Sequence, residues 1–141
     1  MNFPILSTLI IIPFLGATFI LLSSKKGESR SAIYISLFTS IANLLLALFL
    51  WYLFDKNYNG FQFLEEKNWI SGIIKFKLGI DGISILFIVL TAFITPICII
   101  SCINSISKRL NEFLIAILVL ETFMIGVFCS LDLIIFYLFF E

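Results

Sequence analysis

Three acidic residues lie within or beside long apolar runs of this sequence, and they are the side chains best placed to do chemistry. Asp132 stands at the start of the last run and Glu141 follows its end. On a helix rising about 1.5 Å per residue, these two acids would lie roughly 13 Å apart along the axis. If Asp132 marks a membrane surface, Glu141 lies near the middle of a hydrocarbon core about 30 Å thick. A carboxylate at that depth costs at least about 2.5 kcal/mol, so we interpret Glu141 as functional.

Glu121 is the acid that interrupts the preceding apolar run, residues 113–130. Counted from the turn at 130–131, Glu121 and Glu141 lie about 9 and about 10 residues into their helices, which places both near the midplane. Two carboxyls that gain and lose protons at that depth would suit a proton relay. Two plainer interpretations stay open. Glu121 could be permanently protonated and hydrogen-bonded between helices, and Asp132 could be an N-cap or first-turn acid.

The composition predicts a membrane protein, with 61% hydrophobic and 13% charged residues. Soluble domains carry about 45–50% apolar and about 25% charged residues, and so few charges could not cover a water-facing surface. Nine basic and nine acidic residues balance, which gives no general attraction to nucleic acid. The expected partner of the surface is therefore the lipid bilayer.

Histidine is absent from the sequence, and its three cysteines all fall in apolar runs. Cys98 and Cys102 share one helix face, but two thiols without histidine or a second cysteine pair make a poor metal site. We interpret Cys98, Cys102 and Cys129 as small packing residues. The sequence also lacks a glycine-rich phosphate loop, an iron–sulfur cysteine framework and a nucleophile with its base. We therefore expect no metal, no cofactor and no redox step within this chain.

The apolar runs predict an all-α membrane fold with about four full transmembrane helices and the first half of a fifth, forming a single membrane domain. A signal peptide is disfavoured for the first run, since the run is long and lacks both a positive n-region and a small-residue cleavage site. Pro96 predicts a kink in the third helix. The predicted helices cover residues 4–22, 32–54, 83–103, 113–130 and 131–141.

Residues 55–81 form the one sizeable extramembrane segment. Residues 61–63 and 74–78 alternate apolar and polar side chains, which is typical of half-buried strands. We expect a short hairpin lying on the membrane surface, its strands joined by residues 65–72. An amphipathic interfacial segment is the alternative.

Charge predicts the orientation of the spans. The short loops at 23–31 and 104–112 hold five basic and two acidic residues, whereas segment 55–81 holds four lysines and four acids. The positive-inside rule places both short loops in the cytoplasm or matrix and the N-terminus, the hairpin and Asp132 on the outer side. Both loops agree with a single alternation across five spans.

Four segments, taken together, resemble a known family. They are Lys77 to Ser84 (KLGIDGIS), Leu90 to Pro96 (LTAFITP), Glu121 to Phe128 (ETFMIGVF) and Asp132 to Glu141 (DLIIFYLFFE). Taken in this order, the four segments resemble chain M of proton-pumping NADH–quinone oxidoreductase, which is called subunit 4 of NADH dehydrogenase in mitochondria. The resemblance implies an antiporter-like subunit of the membrane arm of respiratory complex I, with Glu141 as the pump glutamate and Asp132 as a supporting acid. Glu121 is a possible second carboxyl.

The resemblance also implies which groups lie elsewhere. NADH, FMN, iron–sulfur clusters and quinone would be bound by other subunits, and the partners would be the other membrane-arm subunits. The location would be a bacterial inner membrane or the mitochondrial inner membrane. Since the family's later helices and their lysines are missing, the resemblance implies an N-terminal fragment. A subunit of a multisubunit cation/proton antiporter and a non-functional truncated remnant are the alternatives.

Overall fold

A computed structural model describes residues 4–23, 29–58, 60–70, 74–103, 105–106 and 108–141. Within them the chain forms five helices and one two-stranded sheet, inserted between the second and third helices. The helices are α1 (Ile5–Ser23), α2 (Ser29–Leu53), α3 (Gly82–Ile103), α4 (Leu110–Cys129) and α5 (Leu133–Phe140), and the strands are β1 (Gln62–Ile70) and β2 (Ile74–Ile80).

The first four helices are long and apolar enough to cross a bilayer, by length and composition. A helix satisfies its own backbone groups, which is why apolar segments of this length cross hydrocarbon as helices. The eight residues of α5 make about two turns. The predicted all-α membrane fold, with four long helices, a short fifth helix and a small hairpin, is therefore confirmed.

Three helix starts differ by two or three residues from the sequence prediction, and one of them is that of α2, which begins at Ser29 and not at Ala32. We expected the fourth helix to begin at Phe113, but the backbone N–H of Phe113 donates to the Arg109 carbonyl, and α4 begins at Leu110. We expected the fifth to begin at about residue 131, but Asp132 has extended backbone angles and precedes the first helical residue. Hydropathy marks the apolar stretch, whereas backbone hydrogen bonds decide where the helix begins.

The strands β1 and β2 pair antiparallel, as the hairpin prediction requires, but β1 differs from the expected residues. Residues 65–70, which we expected to connect the strands, are part of β1. The cause is a register shift between Gln62 and Glu65, where Phe63 adopts a positive φ of 54°. A bulge of this kind breaks the period-2 pattern from which strands are recognised. The connecting residues 71–73 lie outside the described residues.

The helices form one bundle, in which α4 contacts α1, α2 and α3 and also carries α5. Large apolar side chains such as Phe14, Phe19 and Phe38 are exposed on its outside, which suits a surface covered by lipid. The interior contains two groups of buried residues. One lies near the hairpin and includes Leu78 and Ile80 of β2, and the other lies towards the opposite end and includes Leu114 and Leu118 of α4.

The hairpin joins three parts of the chain at one end of the bundle. The Leu131 backbone N–H donates to the Lys77 carbonyl at 3.0 Å, and Leu78 pairs with Ser130. The hairpin also binds the first turn of α1 through Glu65. The start of α1, the hairpin and the turn between α4 and α5 therefore share one side, as an alternation of spans requires.

Candidate functional site

The centre of the bundle holds a polar pair formed by Asn43 of α2 and Glu121 of α4. Both side chains are 0% exposed, and Asn43 Nδ2 donates a hydrogen bond of 2.8 Å to Glu121 Oε1. The other oxygens of the pair, Asn43 Oδ1 and Glu121 Oε2, are buried and have no hydrogen-bond partner among the residues that the structure describes. Buried polar atoms are nearly always satisfied, so this pair needs a physical explanation.

The sequence of α2 brings its polar residues onto one buried face. Ser36, Ser40 and Asn43 are all 0% exposed, and their spacing of four and three residues places them in one row along the helix. The two serine hydroxyls donate to the carbonyls of their own helix, Ile33 and Leu37, at 2.9 and 3.0 Å. Asn43 is the member of the row that reaches a neighbouring helix.

Sequence reasoning identified Glu121 but not its partner. Asn43 is the strongly polar residue in the interior of α2, ten positions before the helix ends at Leu53. Glu121 lies eight positions before α4 ends at Cys129. Since α2 and α4 both end on the hairpin side, these nearly equal distances place the two side chains at similar depth. The similar distances of Asn43 and Glu121 from the ends of their helices could therefore have suggested the pair from the sequence.

Asp132 lies at the N-cap of α5, where its carboxylate accepts a hydrogen bond of 2.8 Å from the Ile134 backbone N–H. This contact satisfies one of the amides that the first turn of a helix leaves without an internal partner. The structure thus gives Asp132 the capping position that was the plainer of its two interpretations.

Glu141 lies at the end of α5 with an exposed side chain, and its backbone N–H donates to the Tyr137 carbonyl at 2.9 Å. The helix is held against α4 by Phe139, which lies against Gly126 and contacts the ring of Phe123 at a centroid distance of 6.3 Å. Gly126 lies five positions after Glu121, which is a rotation of about 140° around α4. Glu121 therefore points away from the face that carries α5 and towards α2.

A further carboxylate with a long-range role, Glu65 of β1, was missed by the sequence reasoning, which placed it in the connection between the strands. It accepts hydrogen bonds from the backbone N–H groups of Leu6 and Ser7, at 2.8 and 3.1 Å, and from the Ser7 hydroxyl. A carboxylate at a helix N-terminus satisfies free amides and complements the helix dipole. The first turn of α1 holds no acidic residue of its own, which was the available signal.

Asp81 precedes α3 and accepts a hydrogen bond of 2.7 Å from the Ser84 backbone N–H. Hydrogen bonds from the side chain and the backbone of Ser84 lower the pKa of Asp81 from its usual value of 3.8, because they stabilise the ionised form. Asp81 and Asp132 thus both cap the start of a helix on the hairpin side of the bundle.

The three cysteines lie on two helices, Cys98 and Cys102 on α3 and Cys129 on α4. Cys102 and Cys129 are buried and Cys98 is exposed, and the Cys102 thiol contacts the Cys98 carbonyl at 3.1 Å. In the part of the chain that the structure describes, no group of three or more histidine, cysteine, aspartate or glutamate side chains is arranged to hold a metal ion.

The helices, the apolar exterior and the buried carboxyl define a multi-pass α-helical membrane protein. Known proteins make the class more specific, although no family model matches the chain. It is 44% identical to NADH-ubiquinone oxidoreductase chain 4 of Marchantia polymorpha, over 96% of this chain and 28% of that protein. It is 37% identical to NADH-quinone oxidoreductase subunit M of Rickettsia prowazekii, over 100% of this chain and 29% of that protein.

A similar match is found to subunit M of Rhodobacter capsulatus, at 41% identity over 97% of this chain and 27% of the relative. The chain is therefore a homologue of part of NADH-quinone oxidoreductase subunit M, and the resemblance seen in the sequence is confirmed. It spans less than a third of the length of these relatives.

Proposed function

We propose that this chain is a membrane-arm component of a proton-pumping NADH:quinone oxidoreductase, respiratory complex I. The observation that carries the proposal is identity of 37–44% to subunits of that enzyme over nearly the whole chain. The four apolar helices support it, because they fit a component built into a bilayer. NADH, FMN, iron–sulfur clusters and quinone would be bound by other subunits, and this chain would do no redox chemistry.

In this proposal Glu141 is the residue that carries protons through the membrane, coupled to NADH oxidation elsewhere in the complex. Intramembrane carboxyls are costly and are used in proton relays, which supports the assignment. Asp132 is the supporting acid, and its capping contact with Ile134 would fix the start of the helix that carries Glu141. Glu121, buried on the preceding helix α4, is the second carboxyl.

The proposal includes an orientation, with the hairpin and the start of α1 on the outer side. Lys108 and Arg109 are both exposed at the opposite end of the bundle, as expected for a loop that stays inside. The orientation is tested with single cysteines at Lys56, beyond the end of α2, and at Lys108, in a chain whose own cysteines are replaced by alanine. A membrane-impermeant thiol reagent should label the Lys56→Cys chain in intact cells or mitoplasts. If the reagent labelled only the Lys108→Cys chain, the orientation would be the opposite of the one proposed.

The assignment to complex I is tested by tagging the chain in its host, solubilising the membranes mildly and separating the complexes on a native gel. We expect the tagged chain to migrate with NADH-oxidising activity in a large complex. Migration with a complex that lacks that activity would contradict the proposal and favour a cation/proton antiporter subunit. Recovery of the chain only outside any complex would contradict the proposal and favour a non-functional truncated remnant.

A further inference from the structure

The buried pair of Asn43 and Glu121 leaves two oxygen atoms unexplained. An ionised Glu121 would offer two acceptor oxygens, and Asn43 Oδ1 is a third acceptor in the same place. One bond, from Nδ2 to Oε1, satisfies one of the three. Oδ1 and Oε2 are then left buried without a partner, which carries the full cost of removing each from water.

We propose that Glu121 is a proton-binding site, in which the carboxyl is neutral and its O–H, on Oε2, is donated to Asn43 Oδ1. This single proton turns Oε2 from an acceptor into a donor and satisfies both unpartnered oxygens at once. The product is a cyclic pair of two hydrogen bonds between a carboxylic acid and a primary amide. If the amide of Asn43 were reversed, the proton would be needed on Oε1 instead, so both orientations require a protonated carboxyl.

Among the described residues, the buried hydroxyl groups of the bundle do not donate to the two unpartnered oxygens of the pair. Thr122, next to Glu121, donates its hydroxyl to the Leu118 carbonyl at 2.9 Å. Ser40, one turn before Asn43, donates to Leu37 at 3.0 Å, and Thr95 on α3 donates to Thr91 at 2.9 Å. Each of these hydroxyls is directed to a carbonyl of its own helix.

The neighbouring helices bring no cation to Glu121 within the described residues. The ion pairs there join Lys77 to Glu66 and Arg109 to Glu112, and none of these four side chains is buried. The other titratable groups described on the helices of the bundle also make no hydrogen bond to Glu121. These groups are Arg30, Tyr34 and Tyr52 on α2, Cys98 and Cys102 on α3, Glu112 and Cys129 on α4 and Tyr137 on α5. A buried carboxylate without a counter-ion is far more costly than a neutral, fully hydrogen-bonded acid.

This inference deepens the proposed function, on which the use of the proton for transport rests, by giving the second carboxyl a defined partner. Asn43 is then a positioning residue, which holds the acidic proton in place without exchanging one itself. The proton-binding site does not require the remaining subunits of a complex, because all of its atoms belong to α2 and α4 of this chain.

The experiment is infrared difference spectroscopy of the whole chain in lipid vesicles at neutral pH. We expect a carbonyl stretching band of a protonated, hydrogen-bonded carboxylic acid that shifts in D₂O and disappears in Glu121→Gln. Gln supplies an amide N–H where the acid has its O–H, so this variant should keep the fold. If no acid band is lost in Glu121→Gln, the carboxyl is ionised and the proposal is overturned.

The role of Asn43 is read from the frequency of the same band. Asn43→Leu and Asn43→Ser should both move it upwards, towards that of an acid without this acceptor, whereas Ser40→Ala, changed in the same buried row, should leave it in place. An unmoved band in either folded Asn43 variant would overturn the pairing. Should neither variant fold, loss of the downfield acid–amide proton signal in the NMR spectrum of Glu121→Gln supports the pairing, and its absence from the native spectrum overturns it. Migration on the native gel is independent of these results, so failure of the site and failure of the complex I assignment are distinguishable.

Discussion

The carboxylate of Glu65 on the hairpin accepts a hydrogen bond of 2.8 Å from the backbone N–H of Leu6, which lies 59 positions earlier in the chain. The same carboxylate binds the backbone and the hydroxyl of Ser7. The first turn of α1 is therefore capped by a side chain of a strand that lies far away in the sequence. This contact fastens the hairpin to the bundle at the side where Leu131 also bonds to Lys77.

Glu65→Ala should lower the free energy of unfolding by about 0.5–2 kcal/mol, the usual cost of losing an N-cap acceptor. Glu66→Ala is the matched control, since Glu66 follows Glu65 in β1 and forms an exposed ion pair with Lys77. An exposed pair contributes about 0–1 kcal/mol. The measurement is unfolding of the purified chain in mixed micelles by a denaturing detergent. Equal losses in the two variants would contradict the capping role.

The pair of Asn43 and Glu121 predicts strong coupling between two substitutions. Asn43→Leu alone should cost about 1–3 kcal/mol, because it leaves the buried Glu121 carboxyl without its partner. The double variant Asn43→Leu with Glu121→Leu removes both polar groups and should recover much of that loss. Micelle unfolding of the single and double variants completes the cycle. Additive losses would mean that the two side chains do not depend on each other.

Gly126 allows α5 to approach α4. A Cβ atom at this position would lie 2.6 Å from a ring carbon of Phe139, so Gly126→Ala should cost about 1–3 kcal/mol through overpacking. A Cβ on Gly82, at the start of α3, meets no atom within 4 Å, and Gly82→Ala is the control. The control should leave the unfolding midpoint unchanged or raise it, since alanine is the better helix former. A neutral Gly126→Ala would show that α5 does not depend on this contact.

The hydrogen bonds of Asp81 predict that the free energy of unfolding falls at acidic pH. Hydrogen bonds from Ser84 lower its pKa in the folded chain below the usual 3.8. The contribution of Asp81 is therefore fully present above that value and is lost as the pH falls through the lower, folded pKa. Asp81→Asn should flatten the acid side of a plot of unfolding midpoint against pH, and Ser84→Ala should flatten it partly. An unchanged acid slope in Asp81→Asn would rule out this contribution.

Local features of the fold were predictable from the sequence because they depend on neighbouring residues. The length of each of the first four apolar runs matches what a span needs, which gave those helices. A capping role for Asp132 could be predicted because the contact is local: its carboxylate accepts a hydrogen bond from the backbone N–H of Ile134, two positions later in the chain. The hairpin was expected from its alternating pattern, but the bulge at Phe63 broke that pattern and concealed most of β1.

The long-range contacts were not predictable in the same way. Asn43 and Glu121 are 78 positions apart, and Glu65 lies 59 positions from Leu6. Hydrophobicity places each residue at a depth, but it does not say which helix lies beside which or how each is rotated. Burial of Glu121 against α2, and not against the helix that carries Glu141, follows from packing in three dimensions.

NADH-driven proton uptake into inside-out membrane vesicles from the host measures whether Glu141 carries protons in a complex I membrane arm, as we propose. Glu141→Gln should reduce that uptake to a small fraction, while the tagged chain still migrates with the complex. Glu112→Gln, which changes an exposed acid at the opposite end of α4, should leave uptake unchanged. Undiminished uptake in an assembled Glu141→Gln complex would contradict the claim.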